Sequence, residues 1–159
     1  MLHYKLDDFT NGVIDSSGYN NNGTLINSPS TTTSMGKYSN CAHFTATNQH
    51  IQCKTIPTAN FGDSYTFSWY GRRASNSSTM FWGFSDGIRL NGMYKGTLWN
   101  TSDSDSNPIY NIGTTTIITA PTATDWHHYV MTGNGTKCYL YLDGELYGEA
   151  KTYKNISGT

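Results

Sequence analysis

Charge is scarce in this chain. Charged residues make up 13% of its 159 positions, and the formal net charge at pH 7 is −1. Nucleic-acid binding generally requires a basic stripe, and anionic membranes attract basic clusters, so this composition argues against both partners. Glutamate is rarer still, since Glu145 and Glu149 are the only two.

Long apolar runs are also missing. No segment approaches the roughly 20 apolar residues that a membrane-spanning helix requires. The first residues, Met1-Leu2-His3-Tyr4, do not have the basic and apolar regions of a signal peptide. We therefore expect no membrane partner and no signal peptide in this chain, and the Asn-x-Ser/Thr triplets are attributed to its polar composition.

Cysteine is sparse as well. Cys41, Cys53 and Cys138 lie far apart and form no metal-binding spacing, so they are interpreted as small buried apolar residues. A Cys41–Cys53 disulfide remains an alternative, although an odd number of cysteines weakens a disulfide framework.

Aromatic residues, by contrast, are abundant. They make up 14% of the chain, with twelve tyrosines and four tryptophans, and Ser, Thr, Asn and Gly fill many other positions. Such residues favour strands and turns over helices. The length suits a single domain, residues 1–159, with a core of its own. The composition predicts an all-β protein, and the many short strands indicate an antiparallel two-sheet β-sandwich.

The clearest alternation is Tyr65-Thr66-Phe67-Ser68-Trp69-Tyr70-Gly71-Arg72. Because successive strand residues point to opposite faces, we expect Tyr65, Phe67 and Trp69 in the core. The alternate positions, among them Tyr70 and Arg72, are expected on the other face. Shorter strands are predicted at 3–6, 24–26, 42–44, 50–53, 80–84, 88–90, 97–99 and 114–119.

A second strong pattern runs from Trp126 to Gly144. Two apolar and aromatic segments flank Gly133-Asn134-Gly135, which predicts a β-hairpin, and Asp143-Gly144 predicts a further turn. His127 and His128 are adjacent on the first of these strands, so they face opposite ways and cannot chelate one metal ion. We expect His128 in or beside the core and His127 outside.

These motifs resemble the concanavalin A-like jelly-roll superfamily, in particular its laminin-G-like branch. The segments that carry the resemblance are His3–Leu6 followed by Asp15–Leu25, Tyr65–Tyr70, and Trp126–Val130 with Leu140–Gly144. They occur in the family's order and span most of the chain. The resemblance implies a two-sheet antiparallel jelly roll that acts as a recognition or sugar-binding module.

A narrower likeness involves Phe81–Asn91, Leu98–Thr101 and Asn107-Pro108. These segments resemble the versions of the domain in structural proteins of phages and prophages of Gram-positive gut bacteria, which implies a virion or extracellular surface location. Family members usually continue past the Asp-Gly turn into closing strands, which this sequence does not show. The resemblance therefore implies a domain lacking its closing strands, or one completed by another segment.

The acidic residues do not suggest hydrolysis. Glycosidases use two carboxylates placed across a sugar bond, and no predicted strand carries such a pair. We therefore expect no enzymatic activity, and a degenerate glucanase is the weakest alternative.

Calcium is the one cofactor that the sequence suggests. Asp103, Asp105 and Asn107 are spaced like the start of a calcium loop, but Pro108 replaces the glycine and Thr114 stands where an acid is needed. A polar turn is the competing interpretation. Asp15 is better explained as an Asx-turn residue that binds its own backbone.

Sugar binding depends on exposed aromatic rings beside polar groups. Tyr70 and Arg72 share a face of their strand, and Arg89 and Asn91 share strand parity. The alternative for Trp82 and Trp99 is burial in the core. The predicted ligand-binding residues are Tyr70, Arg72, Trp82, Asp86, Arg89, Asn91, Trp99 and Asn100.

Two functions follow from this pattern. The first is a non-catalytic module that binds a glycan, such as a bacterial surface polysaccharide. The second is a protein-contact domain in a virion or larger assembly, with other chains as partners and no affinity for glycans.

Overall fold

Strands dominate the computed structural model. It describes residues 1–32, 36–46, 48–53, 64–72, 80–85, 90–94, 97–100, 125–134 and 138–150, with 80–85, 90–94, 97–100, 138 and 147–150 as backbone. The strands are β1 (Thr24–Ile26), β2 (Ser30–Thr32), β3 (Cys41–His43), β4 (His50–Gln52), β5 (Ser64–Gly71), β6 (Met80–Ser85), β7 (Leu90–Tyr94), β8 (Thr97–Asn100), β9 (His127–Asn134), β10 (Cys138–Leu142) and β11 (Glu145–Ala150).

The all-β prediction is confirmed for the described residues, where every strand pair is antiparallel and no helix occurs. This part of the chain accordingly contains no helix that could span a membrane. The chain divides into two compact units, Met1–Ile56 and Pro57–Thr159, and each is described by itself. The predicted strand at 114–119 lies outside the described residues.

The first unit is held together by short ladders and turns. β1 pairs with β4, β2 pairs with β3, and isolated bridges join Tyr4 to Asp15 and Val13 to Gly23. The strand predicted at 3–6 is therefore reduced to the Tyr4 bridge. Leu6 explains the difference, because its φ of +60° lies in the left-handed region and ends the extended conformation.

Asp15 organises the opening turn of this unit. Its buried carboxylate accepts hydrogen bonds from the amides of His3 (3.0 Å), Ser17 (2.9 Å) and Asn21 (3.0 Å), and from the Ser17 hydroxyl (2.8 Å). The bond from the Ser17 amide, two residues on, is the predicted Asx turn. Three N–H groups and one O–H group thus satisfy both oxygens of this carboxylate within the turn.

The Tyr4 side chain reinforces the same turn. Its hydroxyl donates to the Asn21 carbonyl at 2.6 Å, and burial raises the pKa of Tyr4 above its usual 10.0, so the phenol stays protonated. Across the β1–β4 end, the Gln49 side chain accepts from the amides of Thr45 and Ala46 and donates to the carbonyls of Asn27 and Ser28. These side chains supply bonds that the short ladders cannot.

The cysteine predictions are wrong for this unit. Cys41 is half-buried and Cys53 is exposed, and no disulfide joins them. Cys41 begins the three-residue strand β3, and Cys53 follows the equally short β4, and such short strands provide little cover for either side chain. The side chain of Cys138 lies outside the described part.

The second unit contains a four-stranded sheet in the order β11-β10-β9-β5 and a separate meander, β6-β7-β8. In the four-stranded sheet, alternate residues form a core face: Tyr65, Phe67, Trp69 and Gly71 of β5, His127, Tyr129, Met131 and Gly133 of β9, and Leu140 and Leu142 of β10. Leu140 and Met131 are 1% and 2% exposed. The predicted core positions Tyr65, Phe67 and Trp69 are thus confirmed on this face.

Aromatic contacts reinforce the core face. The rings of Trp69 and Tyr129, which are direct cross-strand partners, stack at 5.2 Å with 7° between their planes. Such pairs contribute about 0.5–1.5 kcal/mol beyond their buried area. His127 approaches Tyr129 edge-on at 6.3 Å. The two histidines therefore face opposite ways as predicted, but His127 lies on the core face and His128 does not, because the register places odd-numbered β9 residues inside.

Gly133 has a different role from the predicted one. It pairs with Cys138 and Tyr65 inside the sheet, and the connection between β9 and β10 begins beyond Asn134. A Cβ atom at Gly133 would lie 2.6 Å from the Tyr65 ring. Glycine is thus needed here because the Tyr65 ring covers the strand. The Asp143-Gly144 turn is confirmed, with φ values of +51° and +94° that match a type I′ hairpin.

Replacing Gly133 with alanine should destabilise the second unit. The added methyl group must displace the buried Tyr65 ring, at a cost of about 1–3 kcal/mol. Urea denaturation of Gly133→Ala measures this loss, and a Tyr65→Ala background provides the control because it removes the clashing ring. An equal cost of Gly133→Ala in both backgrounds would contradict the assigned contact.

The Asp15 turn should make the first unit sensitive to acid. Its hydrogen bonds, above all that from the Ser17 hydroxyl, hold the pKa of Asp15 below its usual 3.8 despite opposing desolvation. The stabilisation is therefore complete above pH 3.8 and is lost as the pH falls below that value. Asp15→Asn should lower the melting temperature at neutral pH and flatten its decline below about pH 4.

Asp7→Asn is the matched control, because it removes a carboxylate from the same unit without touching the Asp15 network. Melting curves that decline with pH as steeply in Asp15→Asn as in Asp7→Asn would rule out this role.

Candidate functional site

The exposed face of the four-stranded sheet is the candidate site. It comprises the alternate residues Ser64, Thr66, Ser68 and Tyr70 of β5, His128, Val130, Thr132 and Asn134 of β9, and Tyr139 and Tyr141 of β10. By the β10–β11 register, the exposed Leu146 lies beside Tyr141 and the acidic position 149 beside Tyr139 on the same side. Arg72 and Trp126 extend this face by one position beyond the Gly71–His127 pair, where the β5–β9 ladder ends. Serine and threonine side chains accompany the aromatic rings in this set, whereas the named residues of the core face include no serine or threonine.

The register arranges these residues in rows across the strands. Tyr70 lies opposite His128, Ser68 opposite Val130 and Tyr141, and Thr66 opposite Thr132 and Tyr139. Successive rows are about 7 Å apart, so the face from Arg72 to Ser64 extends over about 27 Å. Rings and hydroxyl groups therefore recur along a length that accommodates a chain-like ligand.

The Tyr70 row contains a compact cluster. The Tyr70 ring, 47% exposed, stacks on His128 with centroids 4.7 Å apart and an angle of 22°. The Ser68 hydroxyl lies 2.8 Å from Nε2 of His128. The imidazole is thus fixed by one ring contact and one hydrogen bond.

The opposite end of the exposed face forms an open groove. Its volume is about 530 Å³, and it is lined by Ser64, Tyr65, Thr66, Thr132, Gly133, Asn134, Tyr139 and Tyr141. Tyr139 and Tyr141 of β10 supply the phenol rings of this lining. The lining combines hydroxyl and amide groups with phenol rings, as sugar-binding surfaces do.

Asp143 holds the strand ends that present the site. The Asp143 amide donates to the His128 carbonyl at 2.8 Å, and the His128 amide donates to Oδ1 of Asp143 at 2.9 Å. The carboxylate therefore replaces a backbone carbonyl where the chain turns away from the ladder. Its Oδ2 lies 2.6 Å from Nδ1 of His127.

The chemistry of these groups suits binding. Ser68 contacts His128, whereas Asp143 bonds to the ring of His127 on the other face, so the described residues form two separate pairs. A nucleophilic triad requires the serine and the carboxylate on the same imidazole. No such arrangement exists among the residues of this sheet that the structure describes.

Two of the predicted ligand-binding residues meet on the exposed face. Tyr70 and Arg72 lie there as expected, and the Arg72 guanidinium carbon lies 6.0 Å from the centroid of Trp126. Asp86 and Arg89 lie outside the described residues.

The remaining predicted residues lie on the meander, where only the backbone is described. By register, position 91 pairs with 100, 82 with 93, and 99 with 92. Positions 82, 91 and 100 therefore share one side of the meander, and 99 lies on the other. The pairing separates position 99 from positions 82, 91 and 100.

Several residues of the exposed face are absent from the predicted ligand-binding set. They are Trp126, His128, Tyr139 and Tyr141, which the sequence pattern assigns to the hairpin region without indicating a shared surface. The signal was present in Tyr139-Leu140-Tyr141-Leu142, since leucines in the core place the tyrosines opposite.

A metal site receives no support from the described part of the chain. The predicted calcium ligands Asp103, Asp105 and Asn107 lie outside it, and the described residues contain no cluster of three or more His, Cys, Asp or Glu side chains. Calcium binding stays a prediction.

Comparisons with protein-family models, curated proteins and solved structures give no match.

Removing the Asp143 carboxylate should loosen the end of β9. Asp143→Ala loses the acceptor for the His128 amide and the partner of His127, at a cost of about 1–2 kcal/mol in unfolding free energy. Asp143→Asn retains an oxygen acceptor and tolerates positive φ, so its loss should be smaller. Urea denaturation and amide hydrogen exchange at His128 measure the effect, and equal losses in both variants would contradict it.

Proposed function

We propose that this protein is a non-catalytic carbohydrate-binding module and that the exposed face, Arg72 and Trp126 included, contacts the glycan. The observation that carries the proposal is the succession of aromatic rings and hydroxyl groups along one face of the four-stranded sheet. Sugars offer an apolar C–H surface that packs on rings, and hydroxyl groups that bond to short polar side chains.

The open form of this face favours a polymer over a small ligand. A shallow groove of about 530 Å³ at one end and a stacked Tyr70–His128 pair at the other provide separate contact points on one surface. Several moderate contacts spread along a chain give affinity between millimolar and micromolar, which is the range that we expect.

The fold that we propose is the concanavalin A-like jelly roll, formed as one domain from two packed sheets. Supporting it are the purely antiparallel pairing and a core face whose central residues, Met131 and Leu140, are buried. By its sequence resemblance we also propose a place in a phage or bacterial surface protein, where polysaccharide is the accessible ligand.

Glycan binding should depend on the ring of Tyr70. Tyr70→Ala should weaken binding about tenfold, or 1.4 kcal/mol, whereas Tyr70→Phe retains most of the stacking surface. Glycan arrays of capsular and teichoic polysaccharides, followed by calorimetry on the best ligand, measure this. Tyr19→Ala, which removes an exposed tyrosine from the first unit, is the control.

If the wild-type protein binds no glycan on such arrays, the proposal is wrong. That result would favour the alternative function, a protein-contact domain within a larger assembly. Equal losses in Tyr70→Ala and Tyr19→Ala would show instead that the glycan binds elsewhere.

A further inference from the structure

We propose that the glycan carries a methyl group, as a deoxy sugar or an acetyl ester does, and that Val130, Tyr141 and Leu146 bind it. The inference rests on the proposed function. These three residues lie side by side in one row across β9, β10 and β11, because Tyr141 is the cross-strand partner of both Val130 and Leu146. The row forms an apolar strip on the exposed face.

The apolar strip is accessible to a ligand. Leu146 is 56% exposed, and Val130 and Tyr141 are half-buried. Among the described residues of the exposed face, Val130 and Leu146 are the ones with purely aliphatic side chains, and Tyr141 stands between them. At the β5 end of the same row, the Ser68 hydroxyl is bonded to Nε2 of His128 in the neighbouring row. The strip therefore offers mainly carbon to a ligand.

Polar rows border the apolar strip on both sides. One contains Tyr70 and His128, and the other contains Thr132, Tyr139 and the acidic position 149. Neighbouring rows are about 7 Å apart, so the strip is one side chain wide. A sugar that lies over it can bond to the polar rows at its edges, while the substituent directly above the strip meets carbon.

A methyl group suits this position better than a hydroxyl group. A hydroxyl group held against aliphatic carbon loses its hydrogen bonds to water without replacement, whereas a methyl group gains free energy by leaving water. Burial of one methyl group raises affinity about fourfold. The apolar strip therefore discriminates between glycans whose polar contacts are alike.

The width of the apolar strip favours a substituent of the glycan over a protein partner at this place. A stable protein interface buries about 800 Å² on each partner, which three side chains do not supply even when fully exposed. A methyl group, by contrast, is covered by the two or three side chains of a single row.

Matched pairs of carbohydrates provide the test. Oligosaccharides of L-rhamnose are compared with those of L-mannose, because rhamnose carries a methyl group where mannose carries a hydroxymethyl group. O-acetylated polysaccharides are compared with their own alkali-deacetylated forms. In at least one kind of pair, we expect the wild-type protein to bind the methyl-bearing member about fourfold more tightly, with a more negative heat-capacity change. A preference in the rhamnose pair identifies a deoxy sugar, and one in the acetylated pair identifies an acetyl ester.

Polar substitutions assign the preference to the apolar strip. Val130→Thr exchanges a methyl group for a hydroxyl group, and its combination with Leu146→Asn should reduce the preference to less than about twofold. Because the preference is a ratio within each pair, a uniform change in affinity cancels. Ile14→Asn, which removes an exposed aliphatic side chain from the first unit, is the matched control and should keep the preference.

Melting temperatures verify that each variant is folded. If the double variant is unstable, Leu146→Asn alone serves, since Leu146 is exposed on the outer strand of the described sheet, and it should still lower the preference.

The outcomes separate the two proposals. Equal affinity for both members of every pair, or a preference that these variants leave unchanged, overturns the inference and leaves carbohydrate binding intact. Binding to no carbohydrate of either kind overturns both.

Discussion

The pairing of β5 with β9 is the constraint on which the rest of the second unit depends. Eight consecutive residue pairs, from Ser64–Asn134 to Gly71–His127, join segments that are more than fifty positions apart in the chain. Because the side-chain period of a strand is two, this single register assigns every residue of both strands to a face. A slip by one residue would expose Met131 and bury His128.

The same register confines the packing of this sheet to one face. Stacking of Trp69 on Tyr129 and burial of Met131 and Leu140 use one face only. The opposite face is thereby relieved of packing and can keep rings such as Tyr70 exposed. Contacts on the same face offset the conformational entropy that is lost when those rings are ordered. Tyr70 stacks on His128, and the Ser68 hydroxyl hydrogen-bonds to the His128 imidazole.

Local signals predicted the local structure. The alternation at 65–72, the turn at Asp143-Gly144 and the Asx turn at Asp15 each depend on residues within a few positions, and each is confirmed. Gly133 was misassigned because its reason for being glycine is a ring from β5, which no local window contains. The strand predicted at 3–6 was wrong because Leu6 has a positive φ, which is unusual for leucine and which no feature of the sequence indicates.

The candidate site was only partly predictable for the same reason. The alternation within β5 is enough to place Tyr70 and Arg72 on one face. Trp126, His128 and Tyr139 are brought to the same face by the pairing of β5 with β9 and of β9 with β10, which a single strand's pattern does not reveal. Asp143 shows the limit most clearly. Sequence identifies it as a turn residue, whereas its carboxylate also completes the β9 ladder and bonds to His127. The start of β9 and the Asp143-Gly144 turn therefore act as one structural unit, because the turn closes the hairpin and the Asp143 carboxylate aligns the strand that presents the exposed face.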